Sequence, residues 1–409
     1  MEEAHLRKLA SDYLLPLFSG AALEESAIPS TGREDCAAVI HNTKIAFKAE
    51  KDDRYRLVLT RSQPFYPLDL KGVQVLDVIG AFVEIVRGMK EGLSSWYHAD
   101  LHASFPRRVV AKALSQSVAQ EDALLTAIDQ LSEWGGCQYE GKPIPASLGF
   151  VPDAKPGAVS FAEFCVEKFS AVISNGFDSL VTCDLSGTVI GHECLPLPER
   201  QPSFAPHRLS AVADWARDTK LALVLNRSGE IMVFKNRELT FTRRAGRWHF
   251  LTHKPVLTQM RRPESLMVRR AIYESALDAS FARTGAGIGV VMRINQRKWE
   301  TVVTAKEDWL SPPTSTKAKA IARMINGRPF QELDRRLRQE LLAIDGATVL
   351  DHLGKVLAVG AIIRIPGGST EGGRLAAAKE LSKLGLGIKV SQDGGIVAFE
   401  NQAHRFSVM

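Results

Sequence analysis

The residues best suited to chemistry lie in the segment GGSTEGGRLAAAKELS (367–382). Four glycines, a serine and a threonine lead to Arg374 and then to a run of good helix formers. Glycines let backbone N–H groups approach an anion closely, and a helix N-terminus presents unpaired donors and a positive dipole end. The segment fits a phosphate-binding loop, and it equally fits a glycine loop that caps an ordinary helix. It is not a Walker A loop, because Gly373 and Arg374 stand where Lys and Ser or Thr are required.

A second candidate group is Asp345-Gly346-Ala347, upstream of the glycine loop. A carboxylate at the start of a strand, beside a glycine that leaves room, can hold a divalent metal or orient a hydroxyl group. An Asp-Gly pair alone is more often a turn. Together with a phosphate loop on the same sheet, it would complete a nucleotide site.

The pattern of residues 264–409 predicts the elements that position these groups. A helix is predicted to about residue 282, and two more after residue 314 and after Pro329. The predicted strands are GIGVVMRI (287–294), WETVVTA (299–305), ATVLD (347–351) and KVLAVGAII (355–363), with GIKVS and GIVAF as a closing hairpin. This alternation indicates an α/β domain with a mixed sheet flanked by helices. The run TGAGIG (284–289) is interpreted as the entry to the first strand, its glycines allowing close packing.

Residues 1–255 predict a separate α+β region, either a single unit or two lobes (1–155 and 156–255). A strand is expected over 54–61, a buried helix over 73–89 and a helix over 109–134. Short strands and turns between 179 and 250 predict a meander. The segment KPVLTQMRRP (254–263) is predicted to be the linker to the C-terminal domain.

Residues 265–401, about a third of the chain, resemble the diadenylate cyclase domain of the DisA type. The family signature is a D-G-A motif followed by a strand pair and by G-T-R-H-R-A-A, which opens a helix that continues towards Ser-Glu. Here DGA is intact at 345–347, and TGAGIGVVMRI (284–294) is similar to the first core strand of the family. The segment GGRLAAA (372–378) is in register with the second motif, and the matching residues are Gly372, Arg374, Ala377, Ala378 and, further along the helix, Ser382.

The resemblance implies the condensation of two ATP into cyclic di-AMP with release of pyrophosphate, in a bacterial signalling protein. Asp345 would bind Mg²⁺ or Mn²⁺ and help to activate the 3′-hydroxyl group, and Arg374 would stabilise charge on the phosphate. Since each ATP attacks the other, the resemblance also implies a homo-oligomer with face-to-face cyclase domains. The implied nucleotide-binding residues are Gly346, Ala347, Thr370, Glu371, Gly372, Gly373 and Ser382.

Four positions depart from the family motif. Gly373 stands in place of its threonine, Leu375 in place of its histidine, Ala376 in place of its second arginine and Lys383 in place of its glutamate. The pattern is similar to the divergent DisA-related domains that follow N-terminal sensor modules (DACNV-like). Two hypotheses stay open: a cyclase regulated by an N-terminal sensor of an unknown ligand, and a catalytically degenerate domain that binds nucleotide as a sensor or scaffold.

The composition of the 409-residue chain limits the other classes of function. A hydrophobic share of 45% and a charged share of 24% are typical of a soluble globular protein with two or three domains. No apolar run is long enough to predict a membrane span. Five scattered cysteines without a CxxC pair favour reduced thiols and a cytoplasmic location. The net charge of +6 allows a nucleotide or nucleic-acid ligand without requiring one.

Two further patterns suggest other functions, each weaker than the first. His98, Asp100 and His102 alternate, and a strand would place all three on one face as a metal site requires, but no fourth ligand is evident. The basic clusters RRAGRW (243–248) and RRPESLMVRR (261–270) would suit a nucleic-acid-binding regulator. A solvated surface explains both clusters more simply.

Overall fold

The computed structural model describes residues 1–65, 72–89, 98–115, 119–152, 154–155, 157–261, 263, 265–366 and 372–409. The chain forms two compact units, Met1–Thr252 and His253–Met409. Each unit has its own sheets and core, and the fold class is the predicted one, mixed α/β with several sheets.

The N-terminal unit combines short helices with two larger sheets. Its helices are α1 (Glu3–Leu9), α2 (Val75–Gly88), α3 (His98–Ser115), α4 (Glu121–Gly135), α5 (Phe161–Val166) and α6 (Ser210–Trp215). Its strands are β1 (Ala21–Leu23), β2 (Ile28–Pro29), β3 (Ala37–His41), β4 (Lys44–Phe47), β5 (Tyr55–Arg61), β6 (Gln138–Tyr139), β7 (Lys142–Pro143), β8 (Ala146–Phe150), β9 (Val159–Ser160), β10 (Ser179–Cys183), β11 (Thr188–Cys194), β12 (Leu221–Leu225), β13 (Ile231–Lys235), β14 (Glu238–Arg244) and β15 (Arg247–Phe250).

A five-stranded antiparallel sheet has the order β1-β5-β4-β3, with β2 also pairing with β5. An eight-stranded sheet follows, in the order β15-β14-β13-β12-β8-β10-β11-β9. The predicted meander is confirmed by β12 to β15, whose tight turns at 236–237 and 245–246 have positive φ at both central residues. Strand β8 lies between β12 and β10, so a division at 155/156 would cut this sheet.

Two predictions for the helical part of this unit were wrong in detail. The single helix expected over 109–134 is instead α3 and α4, and residues 116–118 between them lie outside the described part. Residues 98–102 belong to α3, so they do not form the strand that the His98–Asp100–His102 hypothesis required. Helix α4 buries Leu124 and Leu131, which are part of the helical spacing predicted for 109–134, together with Ile128. Across the described residues, no helix combines the length and apolar character that a membrane span needs.

The C-terminal unit is built on one mixed sheet. Its helices are α7 (His253–Gln259), α8 (Leu266–Phe281), α9 (Trp299–Val302), α10 (Thr316–Ile325), α11 (Arg335–Ala343) and α12 (Gly373–Ser382). Its strands are β16 (Ala286–Val291), β17 (Ala347–Asp351), β18 (Val356–Ala361), β19 (Gly385–Val390), β20 (Ile396–Glu400) and β21 (Ala403–Val408).

The six strands have the order β18-β17-β16-β19-β20-β21. Strands β16 and β17 are parallel, with Gly287 opposite Ala347, and the remaining neighbours are antiparallel. Every residue of β16, β17 and β18 is buried, as expected for strands covered on both faces. The helix-flanked mixed sheet predicted for this part of the chain is therefore confirmed.

Buried ion pairs join α8 to α11. Both guanidinium Nε and Nη2 of Arg335 donate to Asp278, at 2.7 and 2.9 Å, and Arg338 donates to Glu274 at 2.9 Å. Removing one partner of such a pair would leave an uncompensated charge in the protein interior, which strongly destabilises a fold. They fix α11, and the loop after α11 carries Asp345.

Three segments differ from the prediction. The expected linker begins with α7, which buries Val256 and Leu257. The expected strand 299–305 holds the single turn α9, and only Val303 makes a bridge, to Ile363. Strand β21 extends the predicted closing hairpin to a third strand.

Candidate functional site

Strand β16 carries alternating glycines that seat α12 against the sheet. A Cβ at Gly289 would lie 2.9 Å from a methyl carbon of Leu381, and one at Gly387 on β19 would collide with the carbonyl of Ala378. Residues two apart on a strand share a face, so the glycines of TGAGIG leave the space that the helix fills. This packing agrees with the interpretation of residues 284–289 as a strand entry.

Arg374 is the second residue of α12 and lies against the start of β16. A Cβ at Gly285 would lie 2.7 Å from Nη1 of Arg374, and Gly285 also has a φ of +65°, a conformation that favours glycine. The Arg374 side chain is half-buried. It makes no hydrogen bond or ion pair to any residue in the described ranges, so its N–H groups can donate hydrogen bonds to an anionic ligand.

Asp345 lies in the loop between α11 and β17, and its side chain is exposed. Its Oδ1 accepts a hydrogen bond from the N–H of Gly346 at 3.1 Å. Gly346 has a φ of +106°, and a Cβ there would lie 2.5 Å from the carbonyl carbon of Gly360 on β18. Only a glycine fits this crossing of two backbones, and the crossing fixes the position of the preceding carboxylate.

The two groups lie at the same edge of the sheet. Because β16 and β17 are parallel and Gly287 is opposite Ala347, their amino ends are adjacent. Arg374 lies at the amino end of β16, and Asp345 precedes the amino end of β17. Asp345 and Arg374 are far apart in the sequence, and the fold places them at the same end of the sheet.

The N-terminus of α12 lies beside Arg374 and begins with two glycines. Among the described residues, nothing lies within 4 Å of a Cβ placed at Gly372 or Gly373, and both residues are exposed. Gly372 is the N-cap residue with a φ of +84°. The predicted contacts Thr370 and Glu371, with the rest of 367–371, lie outside the described residues.

Ser382 is not brought to this edge. It ends α12, about 12 Å along the helix axis from Arg374. Its buried Oγ donates to the carbonyl of Lys379 at 2.6 Å and accepts from the N–H of Gln402 at 2.8 Å. These bonds tie the end of α12 to the turn before β21. Ser382 therefore supports that turn and not the glycine loop before α12.

Lys317 and Asp308 were missed by sequence reasoning. Lys317 is on α10, its Nζ is ion-paired with Asp308, and it donates to the carbonyl oxygen of Gly360 at 3.3 Å. A Cβ at Gly360 would lie 3.2 Å from this Nζ and 2.9 Å from the carbonyl oxygen of Asp345. The ammonium group is thus a neighbour of the Asp-Gly-Ala turn. No spacing or motif in the sequence indicates this contact, which joins residues 43 positions apart.

The site offers a divalent metal ion the carboxylate of Asp345. Within the described ranges, no group of three or more His, Cys, Asp or Glu could hold a metal. Mg²⁺ and its close analogue Mn²⁺ are commonly bound by one or two carboxylates together with substrate phosphates and water. The exposed carboxylate of Asp345 meets that requirement for a site completed by a nucleotide.

The basic clusters are partly engaged in the protein's own structure. Arg244 forms a buried ion pair with Glu230 at 2.5 Å. Arg269 donates to the carbonyl oxygens of Pro263 and Arg261. These contacts reduce the positive charge that either cluster could present to a nucleic acid.

No family model matches the chain, and no curated protein matches it in sequence. Among solved structures, it is similar to a double mutant of DacA, a diadenylate cyclase, from Staphylococcus aureus, with 17% identity, 36% of this chain and 88% of that chain covered, and a TM-score of 0.23. It is also similar to a hypothetical membrane spanning protein from Bacillus cereus, with 12% identity, 44% and 90% covered, and a TM-score of 0.23. Both similarities are weak, and at this TM-score neither supports a conclusion about function.

Proposed function

We propose that the unit His253–Met409 binds ATP and condenses two molecules into cyclic di-AMP, and that the unit Met1–Thr252 regulates it in response to a ligand. The observation that carries the proposal is the placement of Asp345 and Arg374 at the amino ends of two neighbouring parallel strands. Gly346 permits the backbone crossing next to Asp345, and Gly285 leaves the space that the guanidinium group of Arg374 occupies.

The reaction needs positioning and charge neutralisation more than covalent chemistry by the protein. The 3′-oxygen of one ATP forms a bond to the α-phosphorus of the other, and the bond from that phosphorus to the bridging oxygen breaks, releasing pyrophosphate. The carboxylate of Asp345 would accept the proton of the 3′-hydroxyl group. A second, identical step closes the ring.

The phosphate charge would be held by Arg374 and by the N-terminus of α12. An arginine can donate two parallel hydrogen bonds to phosphate oxygens, and the first N–H groups of a helix point at an anion placed before them. Such an anion would lie in front of the first N–H groups of α12, next to Gly372 and Gly373. These donors stabilise negative charge that increases in the transition state.

Asp345 would also hold Mg²⁺ or Mn²⁺ together with phosphate oxygens of the nucleotide. When bound, such an ion neutralises phosphate charge and favours attack at phosphorus. The contribution of the chain itself is an exposed carboxylate whose place is set by the Gly346–Gly360 crossing.

The chemistry favours a homo-oligomer with two sites face to face. Each ATP supplies both the attacking hydroxyl group and the attacked phosphate, so two bound nucleotides must approach in opposite orientations. Asp345 is exposed at its sheet edge, which leaves it accessible to a nucleotide carried by a second copy.

The alternative is a domain that binds nucleotide without turnover. It is favoured by the motif residues themselves, which supply one arginine, Arg374, where the family signature has two arginines and a histidine. Such a site could recognise a phosphate and still lack the charge needed for catalysis.

One experiment separates the two functions. The purified chain is incubated with each nucleoside triphosphate and with Mg²⁺ or Mn²⁺, alone and in mixtures, and the products are identified by mass spectrometry. A cyclic dinucleotide that disappears in Asp345→Ala supports the cyclase. Binding of ATP without product, at protein concentrations that give dimers and in Mn²⁺, supports the binding protein.

A further inference from the structure

We infer that Lys317 is a second phosphate-binding cation of this site and that Asp308 positions it. The inference rests on the proposed binding of ATP and names a further residue of that site. A triphosphate carries several negative charges, whereas Arg374 and the N-terminus of α12 supply little positive charge. The structure places one more ammonium group beside the Asp-Gly-Ala turn.

The position of Lys317 comes from backbone geometry. A Cβ at Gly346 would lie 2.5 Å from the carbonyl carbon of Gly360, a Cβ at Gly360 would lie 2.9 Å from the carbonyl oxygen of Asp345, and both glycines have positive φ. The Nζ of Lys317 lies over this crossing, since it donates to the carbonyl oxygen of Gly360 at 3.3 Å. It therefore approaches Asp345 from the β18 side, whereas Arg374 approaches from the β16 side.

The Asp308–Lys317 pair differs from the structural ion pairs of the same unit. The side chains of Asp278 and Arg335 are 1% and 5% exposed, whereas Asp308 is 7% exposed and Lys317 is 40% exposed. A buried carboxylate thus holds a cation that solvent can reach. The buried carboxylate keeps this cation in place, and the exposed part of Lys317 stays accessible to a ligand.

Lys317 also has donor capacity to spare. An ammonium group has three N–H donors. Within the described ranges two acceptors are present, the carboxylate of Asp308 and the carbonyl of Gly360. The third donor can bind a phosphate oxygen while both of these bonds remain.

The two cations would bracket a phosphate chain. Strands β16 and β18 are both neighbours of β17, and two strand spacings amount to about 10 Å. The long side chains of Arg374 and Lys317 can close part of that span from opposite sides. The ligand class is therefore a nucleoside triphosphate, and a monophosphate would reach one of the two cations.

The test measures the binding of Mg²⁺-ATP and of AMP to the full chain by calorimetry. The variant is Lys317→Gln combined with Asp308→Asn, which removes both charges and leaves no unpaired buried carboxylate. The Kd for ATP should rise at least tenfold and the Kd for AMP less than twofold, with Lys317→Arg retaining most of the ATP affinity. Lys319→Gln, an exposed lysine on the same helix, is the matched control.

Three outcomes overturn the inference. Unchanged ATP affinity in the double variant would show that Lys317 only neutralises Asp308. Equal losses for ATP and AMP, or a lower melting temperature without nucleotide, would show a structural effect. If the unmodified chain binds neither nucleotide, the proposed function fails and this inference fails with it. In the first two cases the proposed function is unaffected.

Discussion

The exposed carboxylate of Asp345 contributes little to folding. In the described structure the carboxylate accepts a hydrogen bond from the N–H of the next residue, Gly346, and it takes part in no buried ion pair. A side chain with so little structural function can be replaced without loss of the fold, so its chemical role can be tested directly.

Asp345→Asn should lower the rate of cyclic dinucleotide formation by about 100-fold or more, because the amide can neither accept the hydroxyl proton nor bind a divalent ion as a carboxylate does. Product is measured by mass spectrometry and folding by the melting temperature. Asp393→Asn is the control, since Asp393 is another exposed aspartate before a glycine, in the β19–β20 turn. Full activity in Asp345→Asn would remove this residue from the mechanism.

Arg374→Ala should weaken ATP binding by about 10- to 100-fold, the loss expected when a hydrogen bond to a charged group is removed. Arg374→Lys should recover only part of it, because lysine cannot donate two parallel bonds to a phosphate. Calorimetry with Mg²⁺-ATP measures both. Arg323→Ala, on the exposed face of α10, is the control, and an equal loss there would point to a general effect of charge.

At the scale of elements, glycines define the site. A Cβ is excluded by close neighbours and by positive φ at Gly285, Gly346 and Gly360. At Gly373, the first residue of α12, no described residue lies within 4 Å of a Cβ. The same substitution should therefore have opposite effects at different positions.

Gly346→Ala should destabilise the C-terminal unit by roughly 1–3 kcal/mol or more, from the strained φ and the clash with Gly360. Gly373→Ala should stabilise α12 by about 0.5–1 kcal/mol, because alanine loses less backbone freedom in a helix. Urea unfolding of each variant gives the free energies. Equal changes at the two positions would contradict the backbone crossing described for Gly346.

Sequence patterns predicted β17, β18, α12 and the β19–β20 hairpin because each has a local period or a turn signal. They failed at 299–305, where the β-branched run predicts a strand but Trp299 and Val302 are buried from a single helical turn. They also failed at α7, where the segment 254–263 was predicted to be a linker although its Pro255 is tolerated in the first turn of a helix. Lys317 could not be predicted, because a backbone crossing far along the chain brings it to the site.

At the scale of the whole molecule, the division at 252/253 gives α7 to the C-terminal unit. His253 and Tyr273 are both buried and their side chains are hydrogen-bonded at 2.8 Å. The start of the segment predicted to be a linker is therefore part of a core.

A fragment of residues 253–409 should be more stable than one of residues 264–409, by about 3 kcal/mol or more. The shorter fragment loses the burial of Val256 and Leu257, each worth roughly 1.5–3 kcal/mol. Chemical denaturation of both fragments measures the difference. Identical stabilities would show that α7 does not belong to this unit.

The N-terminal unit should lose stability in mild acid because of His249. Burial, with Arg244 and Arg247 nearby, lowers the pKa of His249 from 6.5 to about 4. The unfolded chain therefore binds a proton at this residue first, so stability is full above pH 6.5 and falls as the pH drops towards 4, by about 3 kcal/mol in total. Urea unfolding of the full chain at pH 7 and pH 5 should show a smaller loss in His249→Gln than in the exposed control His5→Gln.

The parallel pairing of β16 with β17 also has a consequence for the order of folding. Strand β17 pairs with β16 across the shorter separation in the sequence, Gly287 with Ala347, whereas β19 pairs with the same strand much further along the chain, Gly287 with Lys389. Contacts between distant parts of a chain form late. Asp345 therefore takes its place with the first part of the sheet and Arg374 with the last, so during synthesis the carboxylate is in position before the cation that would hold the phosphate.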